Sequence, residues 1–499
     1  AGVNRTATLI VIGCCLLAGL SQASGDVDEG DAAYMRGDYQ RALHAWQRQA
    51  EQGDARAGYN AGLLFFKGLG VAQDNAAAAR WFRPAAEQGD ARACYALGYL
   101  YRQGHGEQRD TSQAVHWFTR AAGQGLAEAQ YSMGVMYLEG SAGLPQDDLQ
   151  AAEWFMQAAE QGLAEAQLGL GYLYDTGRGV PQDHAEALHW YRAAAGQGSV
   201  RARLNLGLIY KAAKDYPESV RWFTIAAKQG YPKAQFNLAL MYAGGLGVSR
   251  DPLEALKWYR AAADQRFVAA RNSLGEMYLT GDGAPRDPAA AAKWFGLAAE
   301  QGASTAQSSL GKMYKDGVGV QQDYATALHW LGKAAEQGDA AAQFSLGVMY
   351  RKGLGVPADD AGAAKWYRLA AEQGYDHAQN NLGYMYATGS GVPQDFVLAH
   401  MWYNLAGARG LELAVENRDR LAADMTVAQV AEAQQLAREP LGQQLKIARV
   451  DISPLEQQTA VTGIESITTA APPAAGITSV VHSRKMPYGP RHHGFTRRR

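Results

Sequence analysis

An all-α solenoid of repeated helix pairs is the fold class this sequence predicts, and three observations predict it. Ten of the eleven tryptophans, Trp81, Trp117, Trp154, Trp190, Trp222, Trp258, Trp294, Trp330, Trp366 and Trp402, recur usually 36 residues apart, a period that signals a helical solenoid. A stripe of Ala, Leu, Met and Tyr at helical offsets precedes each tryptophan, and a glycine-rich break separates the two.

The stretch from Asp339 to Gly374 shows the unit at its plainest. Its first half, A-x-A-Q-x-x-L-G-x-M-Y, places Ala340, Ala342, Leu346, Met349 and Tyr350 on one helix face. Gly353-Leu354-Gly355-Val356-Pro357 ends that helix, because glycine accepts positive φ and the residue before proline disfavours the α region. Seven residues before each tryptophan stands an aspartate: Asp74, Asp110, Asp147, Asp183, Asp215, Asp251, Asp287, Asp323, Asp359 and Asp395. A carboxylate there accepts from the free amides of a first turn, so these are expected N-caps, and Pro252 and Pro288 follow at the first helical position. The second helix then runs through Ala363, Trp366, Tyr367, Ala370 and Ala371 to a Gln-Gly stop. That C′ glycine recurs at Gly53, Gly89, Gly125, Gly162, Gly198, Gly230, Gly302 and Gly338, and Arg266 breaks the series. One copy is shortened by Lys211-Ala212-Ala213-Lys214 in place of the glycine loop, and another gains a residue near Gly140. Both changes fall between helices, where they disturb packing least. The tryptophan column itself is expected to be core.

Length alone would allow several domains, but the repeat favours one continuous array over residues 54–410. A net charge of -2 and the lack of a basic field over the repeats give no reason to expect nucleic acid as a partner. Arg5, the apolar run from Ala7 to Leu20 and the following Ser21-Gln22-Ala23 read as a signal peptide over residues 1–23, too short to span a bilayer comfortably. Val11-Ile12-Gly13-Cys14 offers a second outcome, a lipid-anchored Cys14, and an uncleaved anchor is a third. The expected location is therefore outside the cytoplasm, periplasmic or secreted. With Cys14 and Cys15 removed, Cys94 stands alone, and no internal disulfide forms. It is expected as a small buried side chain.

Residues 26–52 form a partial first unit, an N-terminal capping helix pair without the glycine loop, as a solenoid end requires. Residues 411–439 close the other end as C-terminal capping helices, with Thr426-Val427-Ala428-Gln429 reading as a capping box. From residue 440 to 499 the pattern fades into Ala, Pro, Thr and Ser, and is read as a largely disordered tail. Its end carries Arg484, Lys485, Arg491, Arg497, Arg498 and Arg499, which suits contact with an anionic surface or plain solubility.

The pattern A-x-A-Q-x-x-L-G-x-x-Y-x-x-G-x-G-V-x-x-D, followed by A-x-x-W-[FY]-x-x-A-A-x-Q-G, resembles the Sel-one-like repeat family, a branch of the tetratricopeptide-like solenoids. The resemblance covers ten copies. It implies a right-handed superhelix of antiparallel helix pairs whose members commonly act as adaptors for other proteins, many bacterial ones being exported. A cysteine-rich branch with a disulfide in each repeat is described as penicillin-binding, and this chain lacks those cysteines.

In such an array the first helices line the inner surface, and columns that drift between copies are those stacking does not need. One column reads Asn60, Ala96, Ser132, Gly169, Asn205, Asn237, Ser273, Ser309, Ser345 and Asn381. Its amides and hydroxyls are placed to hydrogen-bond a peptide backbone, or alternatively to let adjacent helices approach. Four residues earlier stand Arg56, Arg92, Glu128, Glu165, Arg201, Lys233, Ala269, Thr305, Ala341 and His377. Three residues later stand Leu63, Tyr99, Val135, Tyr172, Leu208, Leu240, Glu276, Lys312, Val348 and Tyr384. These offsets share a face, so a concave stripe centred on Asn60, Tyr99, Ser132, Tyr172, Asn205, Asn237, Ser273, Ser345, Asn381 and Tyr384 is the expected partner surface, with the tyrosines as anchors. The expected partner is a protein or peptide bound by a monomer. A cell-envelope role, positioning a glycan-modifying enzyme or binding glycan, is the second reading, and a passive spacer the third.

Reactive chemistry is not expected. Ser309-Leu310-Gly311-Lys312 fits S-x-x-K, but its companion motifs S-D-N and K-T-G are missing. His116, His189 and His329 share a column with Lys and Arg, which marks a solvated helix face. His184 and His189 are five apart, the wrong spacing for a metal pair, and the G-x-G loops follow helices instead of strands. No cofactor or metal is called for.

Overall fold

The computed structural model describes residues 28–140 and 144–439. The signal peptide expected over residues 1–23, the lipidation option at Cys14, the tail over residues 440–499 and part of the lengthened loop after Gly140 lie outside them. The described residues are helical, with no strand among them. A pair Glu29–Met35 and Tyr39–Glu51 comes first. Ten pairs follow, from Ala55–Lys67 with Asn75–Glu87 to Asp376–Thr388 with Phe396–Ala408, and Glu412–Ala422 with Val427–Arg438 comes last. The chain is a helical repeat solenoid that divides into two compact units. The first reaches Ala270 and includes Asp282–Ala284, and the second holds Arg271–Gly281 and the chain from Pro285 onward.

All ten aspartates cap their helices. Asp74 accepts from the Ala77 amide at 2.9 Å and Asp359 from the Gly362 amide at 2.9 Å. The other eight bond to amides of their own first turns. Each is worth about 1 kcal/mol. The capping box at Thr426 and Gln429 is present. At the helix ends the C′ residue is left-handed in every copy, and Arg266 takes that conformation without being glycine, at φ 63°. Lys214, in the shortened loop, does the same at φ 62°. The second glycine of each G-x-G loop answers a different demand. A Cβ at Gly179 would collide with the Asp148 carbonyl, and one at Gly391 with the Asp360 backbone. These two loops therefore lie directly on the first turn of the preceding copy's second helix.

The tryptophans are not the deepest layer, which corrects the sequence expectation. Trp117 and Trp402 are buried, whereas the other eight of the series are half-buried. The next residue is buried in all ten copies: Phe82, Phe118, Phe155, Tyr191, Phe223, Tyr259, Phe295, Leu331, Tyr367 and Tyr403. The cause, in nine of the ten copies, is the glycine that faces it from the first helix. A Cβ on Gly134 would stand 2.5 Å from the Phe155 ring, and one on Gly347 2.6 Å from Tyr367. The missing side chain is the socket for that ring, and the indole is left at its flank.

Consecutive copies are joined by a glutamine relay. Gln343 donates to the Ala335 carbonyl of the preceding copy at 3.2 Å, and its own oxygen accepts from Gln373 at 2.7 Å. Gln167 does the same with Ala159 and Gln197, and Gln307 with Ala299 and Gln337. Where the column departs from glutamine, Cys94 reaches the Ala86 carbonyl through its sulfur and Arg203 reaches that of Ala195. Cys94 is thus a buried structural thiol, its pKa raised chiefly by burial.

Candidate functional site

The first unit carries an open groove of about 420 Å³, within the range of small-ligand and peptide-side-chain sites. First helices supply most of it: Tyr131, Val135 and Leu138 from Ala127–Glu139, then Glu165, Leu168, Gly169 and Tyr172 from Ala164–Thr176. Arg201, Leu204 and Asn205 come from Val200–Ala212, and Tyr231 and Lys233 from the start of the next copy. Phe155, from a second helix, forms the floor. Gly169 replaces the Asn or Ser of its column, and the position its Cβ would take is 3.1 Å from the Phe155 ring. The absent side chain opens the groove down to that aromatic edge.

The walls are apolar and the rim is charged. Arg201 and Lys233 are exposed, and Glu165 is half-buried. Tyr131 sits between these charges. Its hydroxyl pKa is raised by burial and by Glu165, against a lowering pull from Arg102 and Arg201. Tyr172 is 42% exposed, which for a large ring is a surface standing ready for contact. It is held from beneath: Arg178 grips Asp148 through two bonds of 2.8 Å and faces the Tyr172 hydroxyl, which keeps the guanidinium pKa raised. Asn205 lies beside the Tyr191 hydroxyl.

The structure divides the expected stripe. Tyr172 and Asn205 meet in the groove. Tyr99 does not present an anchor: it is buried, edge-on to Phe66 with ring centroids 6.0 Å apart. Asn60, Ser132 and Ser345 are buried, and the two serines spend their hydroxyls on the carbonyls of Glu128 and Ala341, four residues back. Asn237 turns its amide onto Lys233 in the same way at 2.8 Å. Ser273, Ser309 and Asn381 are half-buried. Asn381 lies beside Tyr367, and Tyr384 is 42% exposed under the Arg351 guanidinium, 4.6 Å from the ring centroid. His116 and His189 are exposed, while His329 is half-buried with its pKa lowered by burial.

Sequence reasoning missed a column, one residue before the Asn/Ser row. It reads Tyr59, Tyr95, Tyr131, Leu168, Leu204 and Phe236 in the first six copies, then Asn272, Ser308, Phe344 and Asn380. Tyr131, Leu168 and Leu204 of this column wall the groove. The same test of drift between copies would have found it. Among the described residues no His, Cys, Asp and Glu group is arranged to hold a metal ion, and no helix is long and apolar enough to cross a membrane.

The model of the Sel1 repeat matches residues 55–90, 91–126, 127–163, 164–199, 201–231, 232–267, 268–302, 304–339, 340–375 and 376–411. The chain belongs to the Sel1-repeat family. Among solved structures it is similar to c5321, a protective antigen present in uropathogenic Escherichia coli strains displaying an SLR fold, at 35% identity over 87% of this chain and 94% of that one, with a TM-score of 0.70. A Sel1 repeat protein from Oxalobacter formigenes is 32% identical over 68% of this chain and 90% of its own, with a TM-score of 0.40. No curated protein matches. Sel1-repeat solenoids in general mediate protein–protein interaction, and this chain is a Sel1-repeat solenoid.

Proposed function

We propose that this Sel1-repeat chain is an exported, non-catalytic adaptor that captures an extended segment of a partner protein on its first-helix surface, the groove around Gly169 being the principal seat. One observation carries the reading. The groove lies where the drifting columns meet, over the core ring of Phe155, and it joins an exposed tyrosine to an amide and charged groups. Aromatic anchors in a concave, partly apolar setting are the usual centre of a binding energy map. Export, to the periplasm or beyond, rests on the apolar run from Ala7 to Leu20 and its small-residue end, with a lipid anchor at Cys14 as the variant outcome.

The test is a photo-crosslinking residue placed at Tyr172 in the native host, with Tyr172→Ala plus Asn205→Ala as the control. The reading expects a specific crosslinked partner that the double variant no longer retains while its thermal unfolding is unchanged. Retention by the double variant ends it. The cell-envelope reading is favoured by the three tyrosines Tyr131, Tyr172 and Tyr231 around the groove, which suit stacking on a sugar face. Binding of purified glycan without protein, lost in Tyr172→Ala, would put it first.

A further inference from the structure

We infer that the wholly buried Tyr191 is a positioning residue for the groove: its hydroxyl holds the Asn205 amide outward, so that a captured segment meets N–H donors aimed at a main-chain carbonyl. This rests on the adaptor reading and names the chemistry by which the segment is held.

The copies themselves supply the comparison. The residue that fills the glycine socket is followed, fourteen places on, by the Asn/Ser column of the next copy. After Phe or Leu, a polar side chain in that column folds back onto its own helix. Ser132 after Phe118, Asn237 after Phe223 and Ser345 after Leu331 donate to the carbonyl four residues earlier, at 2.8, 2.8 and 2.7 Å. Ala96 and Gly169 have no polar atom to turn, and Ser309 after Phe295 is the exception. After Tyr the pattern changes. Tyr191 and Tyr367 are followed by Asn205 and Asn381, and among the described residues neither amide bonds back to its helix; each lies beside the phenol hydroxyl instead.

Asn205 and Asn237 are the same residue in the same column, and the ring beneath them differs by one phenol oxygen. The Tyr191 hydroxyl is shielded from solvent and has no partner elsewhere. Burial raises its pKa, so the phenol keeps its proton and has one O–H to donate. Asp175 acts on it only through charge and is itself held by His184 at 3.2 Å. The bond to Asn205 Oδ1 is the one open to it, and a buried O–H without an acceptor is costly. With Oδ1 turned inward, both N–H groups of Asn205 face the groove beside Tyr172. An extended segment offers a carbonyl acceptor at every residue. At the same place in the last helix pair, Asn417 donates its amide to Asn380 Oδ1 at 3.0 Å, a bond of this form made within the chain.

The experiment begins with crystal structures of the full chain and of Tyr191→Phe. Phe fills this socket in five other copies, so the variant is expected to fold, with thermal unfolding as the check. In it Asn205 is expected to swing onto the Arg201 carbonyl, as Asn237 does onto that of Lys233. Phe223→Tyr is the converse and should lift Asn237 off that carbonyl. An Asn205 that keeps its place in Tyr191→Phe overturns the inference. The donor is then probed with N-methylacetamide, a single peptide bond, by NMR on the chain carrying isotope-labelled asparagine, with Asn205→Ala assigning the signal. The Asn205 side-chain signal is expected to shift on titration in the native chain and not in Tyr191→Phe; equal shifts, or none in the native chain, overturn it. Partner capture is read from a photo-crosslinking residue at the exposed Leu208, one turn from Asn205, which leaves Tyr172 in place. Tyr191→Phe is expected to lower the crosslink about fivefold and to add nothing to Asn205→Ala, because the phenol acts through that amide. Losses that multiply would make Tyr191 structural only, and overturn it. If Tyr172→Ala plus Asn205→Ala retains the partner, the adaptor reading itself falls; if that pair loses the partner while Tyr191→Phe keeps it, the positioning role alone falls.

Discussion

The two compact units are built on one packing scheme and display different surfaces. In the first, all six copies put an apolar residue three places after the Asn/Ser row, from Leu63 to Leu240, and another just before it, from Tyr59 to Phe236. In the second, the seventh and eighth copies carry Asn272, Ser273 and Glu276, then Ser308, Ser309 and Lys312, at the same places. Asn272 donates to Glu276 at 2.8 Å, so part of this polar surface satisfies itself, and burial lowers the pKa of the half-buried Lys312. The glutamine relay and the ring over the glycine are common to both units. Stacking therefore fixes a few columns and releases the rest, so the first unit can hold a groove while two copies of the second carry polar residues in the same columns.

The largest losses of stability are expected from substitutions in the shared core. Gly134→Val in the first unit and Gly347→Val in the second drive a branched side chain into Phe155 and Tyr367, at contacts of 2.5 and 2.6 Å. Each is expected to cost about 3 kcal/mol, read by urea unfolding with hydrogen exchange to localise the loss. Unequal costs would mean the units do not share a core. Alanine is the milder probe, since Ala239 occupies this place in one copy and is fully buried. Next come Gln167→Leu and Gln343→Leu, one per unit. Each strands a helix-end carbonyl and removes the acceptor of the next glutamine, for about 1–2 kcal/mol apiece.

Acid should separate the units. His400, in the second, stands in a column that is Ala, Val or Leu in the other nine copies, and it is 2% exposed with Nδ1 unpaired. Burial lowers its pKa below 6.5, and Arg418 adds to that while Asp419 opposes it. The unfolded chain therefore binds the proton first as pH falls below 6.5. Stability is full above that pH and declines from there down through the folded-state pKa. His329, also in the second unit, shifts the same way. Hydrogen exchange at pH values either side of 6.5 should show the helices around His400 loosening in acid, with His400→Leu removing most of the effect. In the first unit a smaller gain is available: Arg266→Gly relieves a left-handed non-glycine residue and should add about 1 kcal/mol to the melting free energy.

The regular parts of this molecule were legible because they repeat. Ten copies of one aspartate at one offset announce a cap, and a glycine after Gln announces a left-handed stop, since both depend on residues within a turn of each other. Depth was harder to read. The tryptophan drew attention by its rarity, yet the side chain that fills the glycine socket comes one residue later and alternates between Phe, Tyr and Leu. The relay was invisible because its partners are about 30 residues apart, as Gln343 and Gln373 are, and only stacking brings them together. The candidate site was half legible. Tyr172 and Asn205 followed from drift, whereas Tyr99 has the same residue type in the same column and is buried beside Phe66. Which tyrosine stays open depends on its neighbours in adjacent copies, and a single column does not contain that information.

The smallest expected change in stability is the one that separates surface from scaffold. Tyr172→Ala in the first unit and Glu276→Ala in the second both alter exposed side chains of the same column. Neither contributes to the glycine socket or the relay, so each should move unfolding free energy by no more than about 0.5 kcal/mol. Their effects on binding should differ sharply. Tyr172 borders the groove, and its loss should weaken partner capture by about tenfold or more; Glu276 sits on the hydrated face, and its loss should leave capture within about twofold. Equal loss from the two would place the binding surface along the whole column and remove the distinction between the units. A drop in stability for Tyr172→Ala comparable to that of Gln167→Leu would instead make the tyrosine part of the stacking scheme, because a ring needed for packing cannot be deleted at so little cost.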